Sequence, residues 1–412
     1  MKTPLKENFI KSIKELSGID SDALLKSLDT PPEVSLRLNK RKPVDIYKDK
    51  ERVAWCKSGI YLEERPDFIL DPLWHAGAYY VQDASSMIYE TVVEKLIIDF
   101  PSLKNNPEIK ALDLCAAPGG KTTAMINALP DGSHVTANDV TAGRIAALKE
   151  NLSRWGYPNV TVTNKDTAYY ATKGEQFDIV AVDAPCSGEG MMRKDEDARS
   201  QWSAELVEKC ATLQKEILKN AIKSLKPGGF LIYSTCTFNR KENEENAEFI
   251  AGSDLNPIDL KFPEEWGIQK GIETSLPAYR FMPHKTRGEG LFLTVFQKPY
   301  NNKGILTPQT FTRKEKLRYA IKGKKTGKEE EKIPEIENIL SVDFDKGRFP
   351  LAELDKNQAL AYLRRESITL NSDIPKGIVI VMYNGLPLGA VKNIGSRANN
   401  LLPKNRRILK RT

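Results

Sequence analysis

A chain of 412 residues with 40% hydrophobic content exceeds what one hydrophobic core normally organises, so two or three domains are expected. No apolar run reaches the roughly 20 residues of a membrane span, and the charged start Met1-Lys-Thr-Pro-Leu-Lys-Glu7 lacks a secretory stretch, which excludes a membrane protein and points to the cytoplasm. Five cysteines at irregular spacing and three scattered histidines exclude a disulfide framework and a zinc site, so no metal is expected, and the net charge of +7 suits a polyanionic partner without requiring one.

Residues 1 to about 70 combine two short helical patterns with a strand-like Val34-Ser-Leu-Arg-Leu38, which suits a small α/β appendage. From Pro107 to about Lys298 short apolar runs alternate with helical stretches, the pattern of a parallel sheet flanked by helices. The predicted strands are 111–115, 134–139, 160–163, 177–183, 229–234 and a closing 291–296. Between the second and third, Ile145, Leu148, Leu152 and Trp155 recur at helical spacing and Gly156 marks the stop, which makes a βαβ crossover. A second amphipathic helix over 204–225 closes on Lys226-Pro-Gly-Gly229. Arg313 to Lys332 is dense in basic residues and too poor in apolar ones for a core, hence a linker or a solvated helix. Order returns with a helical 359–363 and a hairpin of 377–382 and 388–391 turning at Tyr383-Asn-Gly385. From Lys392 to Thr412 there are seven basic residues and no acidic one.

The segment Leu112-Asp-Leu-Cys115-Ala116-Ala117-Pro118-Gly119-Gly120-Lys121-Thr122 follows the first core strand and opens a helix, where backbone amides face the crevice at the carboxyl ends of the strands. It is neither the GxGxxG nor the GxxxxGK[ST] loop whose amides cradle phosphates, so its ligand should carry little phosphate. Asp139, Asp166 and Asp183 end three further strands and share that crevice in a doubly wound sheet. Three carboxylates around a glycine turn suit a cation that also bears ribose hydroxyls, and S-adenosylmethionine is a sulfonium with one ribose. Asp139 is expected to accept the 2′ and 3′ hydroxyls, and Asp166 to sit near the adenine amine. Singly, each acid is equally well explained as a cap for the next helix; with the glycine loop, the ligand reading is preferred.

Asp183-Ala-Pro-Cys186-Ser-Gly-Glu-Gly190 follows the fourth strand and Ser234-Thr-Cys236-Thr237 the fifth, so adjacent parallel strands deliver both thiols to one crevice. Cytosine C5 is a poor nucleophile, and a thiolate added at C6 makes it electron-rich. The methyl group then passes to C5, a base takes the C5 proton and the thiol leaves by elimination. Asp183 is suited to hydrogen-bond N3 and N4 of the ring, a contact that requires the acid to carry a proton. A disulfide between Cys186 and Cys236 is the rival reading, disfavoured in a reducing compartment. Cys56, Cys115 and Cys210 read as small buried hydrophobes.

The segments Leu112–Thr122, Asp183–Gly190 and Tyr233-Ser-Thr-Cys-Thr237 resemble the signature motifs of the Nop/Sun family of RNA (cytosine-5) methyltransferases. Arg144, Arg193-Lys-Asp195, Asn243-Glu244, Arg280-Phe-Met-Pro-His284 and Gly288-Glu-Gly290 extend the match, and His75–Met87 is similar to the family's entry segment. The resemblance implies an α/β fold: a Rossmann-like class I methyltransferase core with a mostly parallel seven-stranded sheet, a small N-terminal appendage and a C-terminal PUA-like α+β module. It implies a division into 1–74, 75–300, a linker 301–335 and 336–412, with RNA-binding roles for the two flanking parts. Cys236 is then the nucleophile and Cys186 assists product release, while Cys115 to Lys121, Asp139, Arg144, Asp166 and Asp183 hold the cofactor. The short N-terminal appendage and C-terminal extension resemble bacterial members acting on 16S ribosomal RNA, and Leu386-Pro-Leu-Gly389 with Arg397 and Asn400 to Arg407 resembles their PUA-like module.

The expected partner is therefore RNA, as 16S ribosomal RNA or the 30S subunit, bound by a monomer. The basic run and the acid-free tail supply sequence-independent phosphate contacts, and the target base must be unpaired or flipped. A transfer RNA cytosine-5 enzyme and a catalytically inert assembly factor are the two rival readings.

Overall fold

In the computed structural model, which describes residues 3–300 and 333–410, the chain begins with two short helices, α1 (Glu7–Lys14) and α2 (Ser21–Ser27). An antiparallel sheet follows, made of β1 (Val34–Leu38), β2 (Arg52–Val53), β3 (Cys56–Leu62) and β4 (Tyr79–Val81) in the order β2-β3-β1-β4. Helix α3 (Ile88–Asp99) then leads into the central sheet.

That sheet holds nine strands: β5 (Lys110–Asp113), β6 (His134–Asn138), β7 (Val160–Thr163), β8 (Phe177–Asp183), β9 (Leu225–Thr235), β10 (Asn256–Pro257), β11 (Gln269–Lys270), β12 (Ala278–Phe281) and β13 (Leu291–Gln297). Their order is β11-β12-β13-β9-β8-β5-β6-β7, with β10 on β13. Strands β7, β6, β5, β8 and β9 run parallel, while β13 and β12 join antiparallel. Seven strands of four or more residues thus form the expected Rossmann-like sheet, and the two extra strands are two-residue pairings on its antiparallel edge. The order reverses at β5, so the crevice at the carboxyl ends opens beside the loop that follows it.

The crossovers obey the expected periodicity. Helix α4 (Gly120–Ala128) follows β5, and α5 (Ala142–Trp155) follows β6, burying Leu148, Leu152 and Trp155. Gly156 ends α5 at φ +80°, and a Cβ there would lie 2.2 Å from the Leu340 carbonyl, so this glycine serves both the helix stop and the approach of the C-terminal module. Helix α6 (Ala204–Ser224) packs beneath β8 and β9. The sequence pattern makes Lys226-Pro-Gly-Gly229 a closing turn, but β9 already starts at Leu225: the register with β8 jumps from Phe177↔Leu225 to Ile179↔Phe230. The two glycines let the strand bulge there, with Gly228 at φ +78° and its amide bonded to the Lys298 carbonyl at 2.8 Å.

The C-terminal module is a four-stranded sheet, β14 (Leu351–Glu353), β15 (Gly377–Tyr383), β16 (Leu386–Asn393) and β17 (Ala398–Asn400), with helix α7 (Lys356–Leu363) capped reciprocally by Asp355 and Gln358. The β15–β16 turn places Asn384 and Gly385 at φ 48° and 74°, the primed geometry that the Asn-Gly pair favours. Leu36, Ile60 and Leu73 of the N-terminal part share one core with Leu340, Val379 and Leu388 of this module. The run Arg313 to Lys332 lies outside the described residues. Among those described, no helix is long and apolar enough to cross a membrane.

One buried cation joins the N-terminal sheet to the core. Arg37 on β1 is fully buried; it donates to Gln82 Oε1 (2.8 Å), to Thr123 O (3.1 Å) and Oγ1 (2.6 Å), and to Gly120 O (3.2 Å), and its guanidinium lies over Trp155. Its counter-charge is Glu90 at 3.9 Å, itself buried on α3. Glu90 also pairs with Lys40 at 2.8 Å, so replacing Arg37 by methionine leaves the acid one cation but removes the buried guanidinium hydrogen bonds, and we expect a loss of about 1.5–3 kcal/mol, read as a lower midpoint in thermal denaturation. An unchanged midpoint would show that this cluster is not what holds β1 to α4.

Candidate active site

The parallel register pairs Asp183 with Ser234 at the ends of β8 and β9. Three residues past Asp183 and two past Ser234, Cys186 and Cys236 meet with their Sγ atoms 3.2 Å apart, both thiols free. Two buried carboxylates cross-tie their loops. Glu189, from the Cys186 loop, accepts the Phe238 and Asn239 amides (2.6 and 2.9 Å) and the Trp202 indole (2.9 Å). Glu242, from beyond Cys236, accepts the Ser187 amide (3.0 Å) and hydroxyl, the Asn239 amide group (2.8 Å) and Gln214 (2.7 Å). Asn243 clamps both neighbours of Cys236, accepting from Thr235 Oγ1 at 2.5 Å and donating to Thr237 O at 2.9 Å. The Gly190 amide donates to the Cys236 carbonyl at 2.8 Å, and a Cβ on Gly190 would sit 2.9 Å from both that oxygen and the Gly290 Cα. Only glycine permits this approach.

Beside the thiols, Lys121 Nζ donates to Asp183 Oδ2 at 2.6 Å, and the Ser234 hydroxyl donates to Oδ1 at 2.7 Å. Ser234 also meets the buried Tyr89 hydroxyl at 2.8 Å. Both Asp183 oxygens thus lie within hydrogen-bond reach of a donor, Oδ2 of Lys121 and Oδ1 of Ser234. The thiols divide their proton: Cys186 is held well above the ordinary thiol range and Cys236 below it, first because Cys186 donates its hydrogen to Cys236. Burial and Asp183 oppose the Cys236 thiolate; Lys121 and Lys194 favour it.

The glycine loop lies on the other side of Asp183. Gly119 precedes α4 at φ +107°, leaving the α4 amide end open to the crevice, and a Cβ there would press on Leu148 at 3.2 Å. Asp139 is buried: it accepts the Ala117 amide (3.2 Å) and the Thr141 amide (2.9 Å), and Arg144 reaches it at 3.3 Å while also donating to the Ala117 carbonyl. Asp166, just past the edge strand β7, is exposed and caps the next helix through the Ala168 amide at 2.8 Å. Cys115 is half-buried within the loop, its thiol pushed up by burial and then by Asp113, Asp183 and Asp139.

Asp113 escaped the sequence reading. It ends β5 as the other acids end their strands, and that shared position was the signal available. It is fully buried; Thr122 donates to Oδ2 at 2.6 Å, whereas Oδ1 has no partner. Burial, with repulsion from Asp183, pushes its pKa up to about 7. An orphaned carboxylate oxygen in a crevice lined by Asp139 and Asp183 is the chemistry of a site for a cationic ligand with hydroxyls. Among the described residues, no group of three or more His, Cys, Asp or Glu could hold a metal ion.

The chain matches three family models: 16S rRNA methyltransferase RsmB/F over residues 101–297, the N-terminal domain of 16S rRNA methyltransferase RsmF over 5–84, and the methyltransferase RsmF PUA domain over 349–408. It is 28% identical to ribosomal RNA small subunit methyltransferase F of Photobacterium profundum, covering 98% of this chain and 97% of that one. The Pectobacterium atrosepticum protein of the same name is 32% identical over 73% of this chain and 61% of its own. Among solved structures, a methyltransferase homolog from Pyrococcus horikoshii superposes with TM-score 0.60 at 25% identity, covering 71% of this chain and 95% of that one. NSun6 from the same organism, solved with SFG, gives TM-score 0.60 at 20% identity over 72% of this chain and 99% of that one.

Because Cys186 is the donor that favours the Cys236 thiolate, removing it should make that thiolate harder to form. In Cys186→Ala the pH midpoint for iodoacetamide alkylation of Cys236 is expected to move up from its value in the unaltered protein. A midpoint that stays or falls would contradict the assigned direction of the hydrogen bond.

Proposed function

We propose, from the premise that the chain belongs to the RsmF-type 16S ribosomal RNA methyltransferases of the Nop/Sun family, that it methylates C5 of a cytosine in small-subunit ribosomal RNA through a covalent cysteine adduct. The observation that carries this reading is the pair of thiols 3.2 Å apart beside the Asp183–Lys121 pair.

S-adenosylmethionine fits the glycine crevice, and when bound it supplies an electrophilic methyl group. Asp113 and the amides from Gly119 onward would face its amino-acid end, Asp139 its ribose hydroxyls in place of the Arg144 contact, and Asp166 its adenine. Val140, 61% exposed next to Asp139, adds an apolar face for the purine. These assignments follow from charge: the pocket offers acceptors and an apolar edge, and the ligand offers a cation, hydroxyls and a flat ring.

Cys236 adds as a thiolate to C6 of the flipped cytosine, breaking the C5–C6 π bond. The electron pair moves toward C5 and, through the ring, toward N3. Asp183 receives the N4 amino hydrogens and Lys121 steadies the charge that accumulates at N3 and O2, so the pair shares the role given to Asp183 alone by sequence. Once C5 carries the methyl group, a base takes its proton, the pair re-forms the C5–C6 double bond and the Cys236 sulfur departs. Cys186, which holds its proton at 3.2 Å from that sulfur, donates it to the leaving thiolate. This is the release role expected of the Pro-Cys position.

The test is transfer of labelled methyl to 30S subunits, protein-free 16S RNA and transfer RNA. Transfer to 30S subunits or 16S RNA, read as 5-methylcytosine, supports the proposal, and transfer to none or only to transfer RNA contradicts it. Cys236→Ala is expected to lose at least about 10³-fold in rate, whereas Cys186→Ala should accumulate protein linked to RNA in denaturing gels. A Cys236→Ala protein of full activity would overturn the nucleophile assignment.

A further inference from the structure

A cavity of about 380 Å³ opens where three parts of the chain meet: Trp74 from the N-terminal part, Arg154 near the end of α5, and Leu340, Leu388 and Leu402 from the C-terminal module. Its volume lies in the range of small-ligand pockets. Arg144 stands by the glycine loop at the opposite end of α5, ten residues before Arg154, so roughly 15 Å of helix separates the cavity from the cofactor crevice. It is not the pocket for the reacting base.

Its chemistry is one-sided. The floor is apolar, and Leu409 at the rim is 80% exposed. Four cations, Arg154, Arg406, Arg407 and Lys410, line it against a single acid, Glu150. Arg406 is engaged by Ser153 and Glu337, and Lys410 by Asp67. Arg407 is exposed with no ion pair among the described residues. Arg154 differs from all three: it is only 8% exposed, its guanidinium stacks 3.5 Å from the centre of the Trp74 ring, and its Nη2 bonds to Asn151, yet its Nη1 is buried without a partner. Burial holds its pKa down to about 10 against the pull of Glu150. A buried arginine donor left unmet is destabilising, and an acceptor arriving from outside would supply the missing bond.

We propose that this cavity is a second RNA site, which takes one unpaired nucleotide of the substrate strand away from the target cytosine. Single-stranded RNA is held by this combination elsewhere in proteins: an apolar or aromatic surface for the base and cations for the flanking phosphates. Here Leu409 and the leucine floor receive the base, Arg154 Nη1 meets a base or ribose acceptor, and Arg407 meets a phosphate. The proposal rests on the reading that the substrate is RNA, and it explains why the N-terminal and C-terminal parts share one core: together they build the cavity that neither forms alone.

The test measures binding of protein-free 16S RNA to the full chain by filter retention across a salt series, alongside methyl transfer. Arg407→Glu lies on the surface and should keep the melting temperature of the unaltered protein, while binding about tenfold more weakly and losing about 0.7 from the slope of log affinity against log salt, the share of one single-stranded phosphate. Arg154→Met, which keeps apolar contact with Trp74, should also weaken binding with little change in slope, because it removes a hydrogen bond and no phosphate contact. Affinity and slope unchanged in both variants overturn the second site. If the unaltered protein transfers methyl groups while both variants bind normally, the cavity proposal falls and the enzymatic reading stands. If it transfers none but the variants lose RNA, the cavity stands and the enzymatic reading falls.

Discussion

The candidate site depends on holding two sulfur atoms in contact without letting them bond, and the molecule does this by tying their loops to each other. Glu189 leaves the Cys186 loop to grip the amides after Cys236, and Glu242 leaves the Cys236 side to grip Ser187. Hydrogen bonds to a carboxylate are worth about 1.5–3 kcal/mol each, so a pair of such ties over-determines the position of both thiols. Gly190 and Gly290 complete the arrangement by letting the loops touch backbone to backbone. Neither loop is an independent unit, and the position of each thiol is set by the strand that carries the other.

The same logic extends outward. Asp183 sits between the thiols and the glycine loop, bonded to Lys121 from the loop side and Ser234 from the strand side, so the thiol pair and the glycine crevice are one electrostatic unit. Lys121 in turn lies in the first turn of a helix that Arg37 pins from below. The N-terminal sheet is therefore more than an appendage: its arginine holds the start of the helix that follows the glycine loop. A cation buried against Trp155 and Glu90 is costly to place, and its retention is accounted for by the four acceptors it meets.

What the sequence made legible follows from which forces are local. Strand-end acids and the two cysteines could be placed because parallel strands deliver their carboxyl ends to one side, whatever the details of packing. The Asn384–Gly385 hairpin was legible because only residues tolerant of positive φ make that turn. The N-terminal sheet was mostly hidden: β2 and β4 are two and three residues long, too short to show alternation, and their pairing is decided by contacts far along the chain. The Lys226–Gly229 bulge misled for the opposite reason, since a proline and two glycines signal a turn locally while the neighbouring strand enforces pairing. Glu189 stood inside a recognisable segment and Glu242 one residue before another, yet their partners lie on the loop of the neighbouring strand, and no spacing rule reveals a cross-tie. The shared core of the N-terminal and C-terminal parts belongs to the same class.

The central claim is that one sulfur atom bonds transiently to a pyrimidine. It is tested most directly by mapping, with mass spectrometry, the protein–RNA adduct formed on 16S RNA containing 5-fluorocytidine, where fluorine replaces the proton whose removal frees the enzyme. The account predicts a stable adduct in which the modified nucleotide is joined through C6 to Cys236. An adduct at Cys186 or another residue, or none while ordinary RNA is methylated at C5, would contradict it.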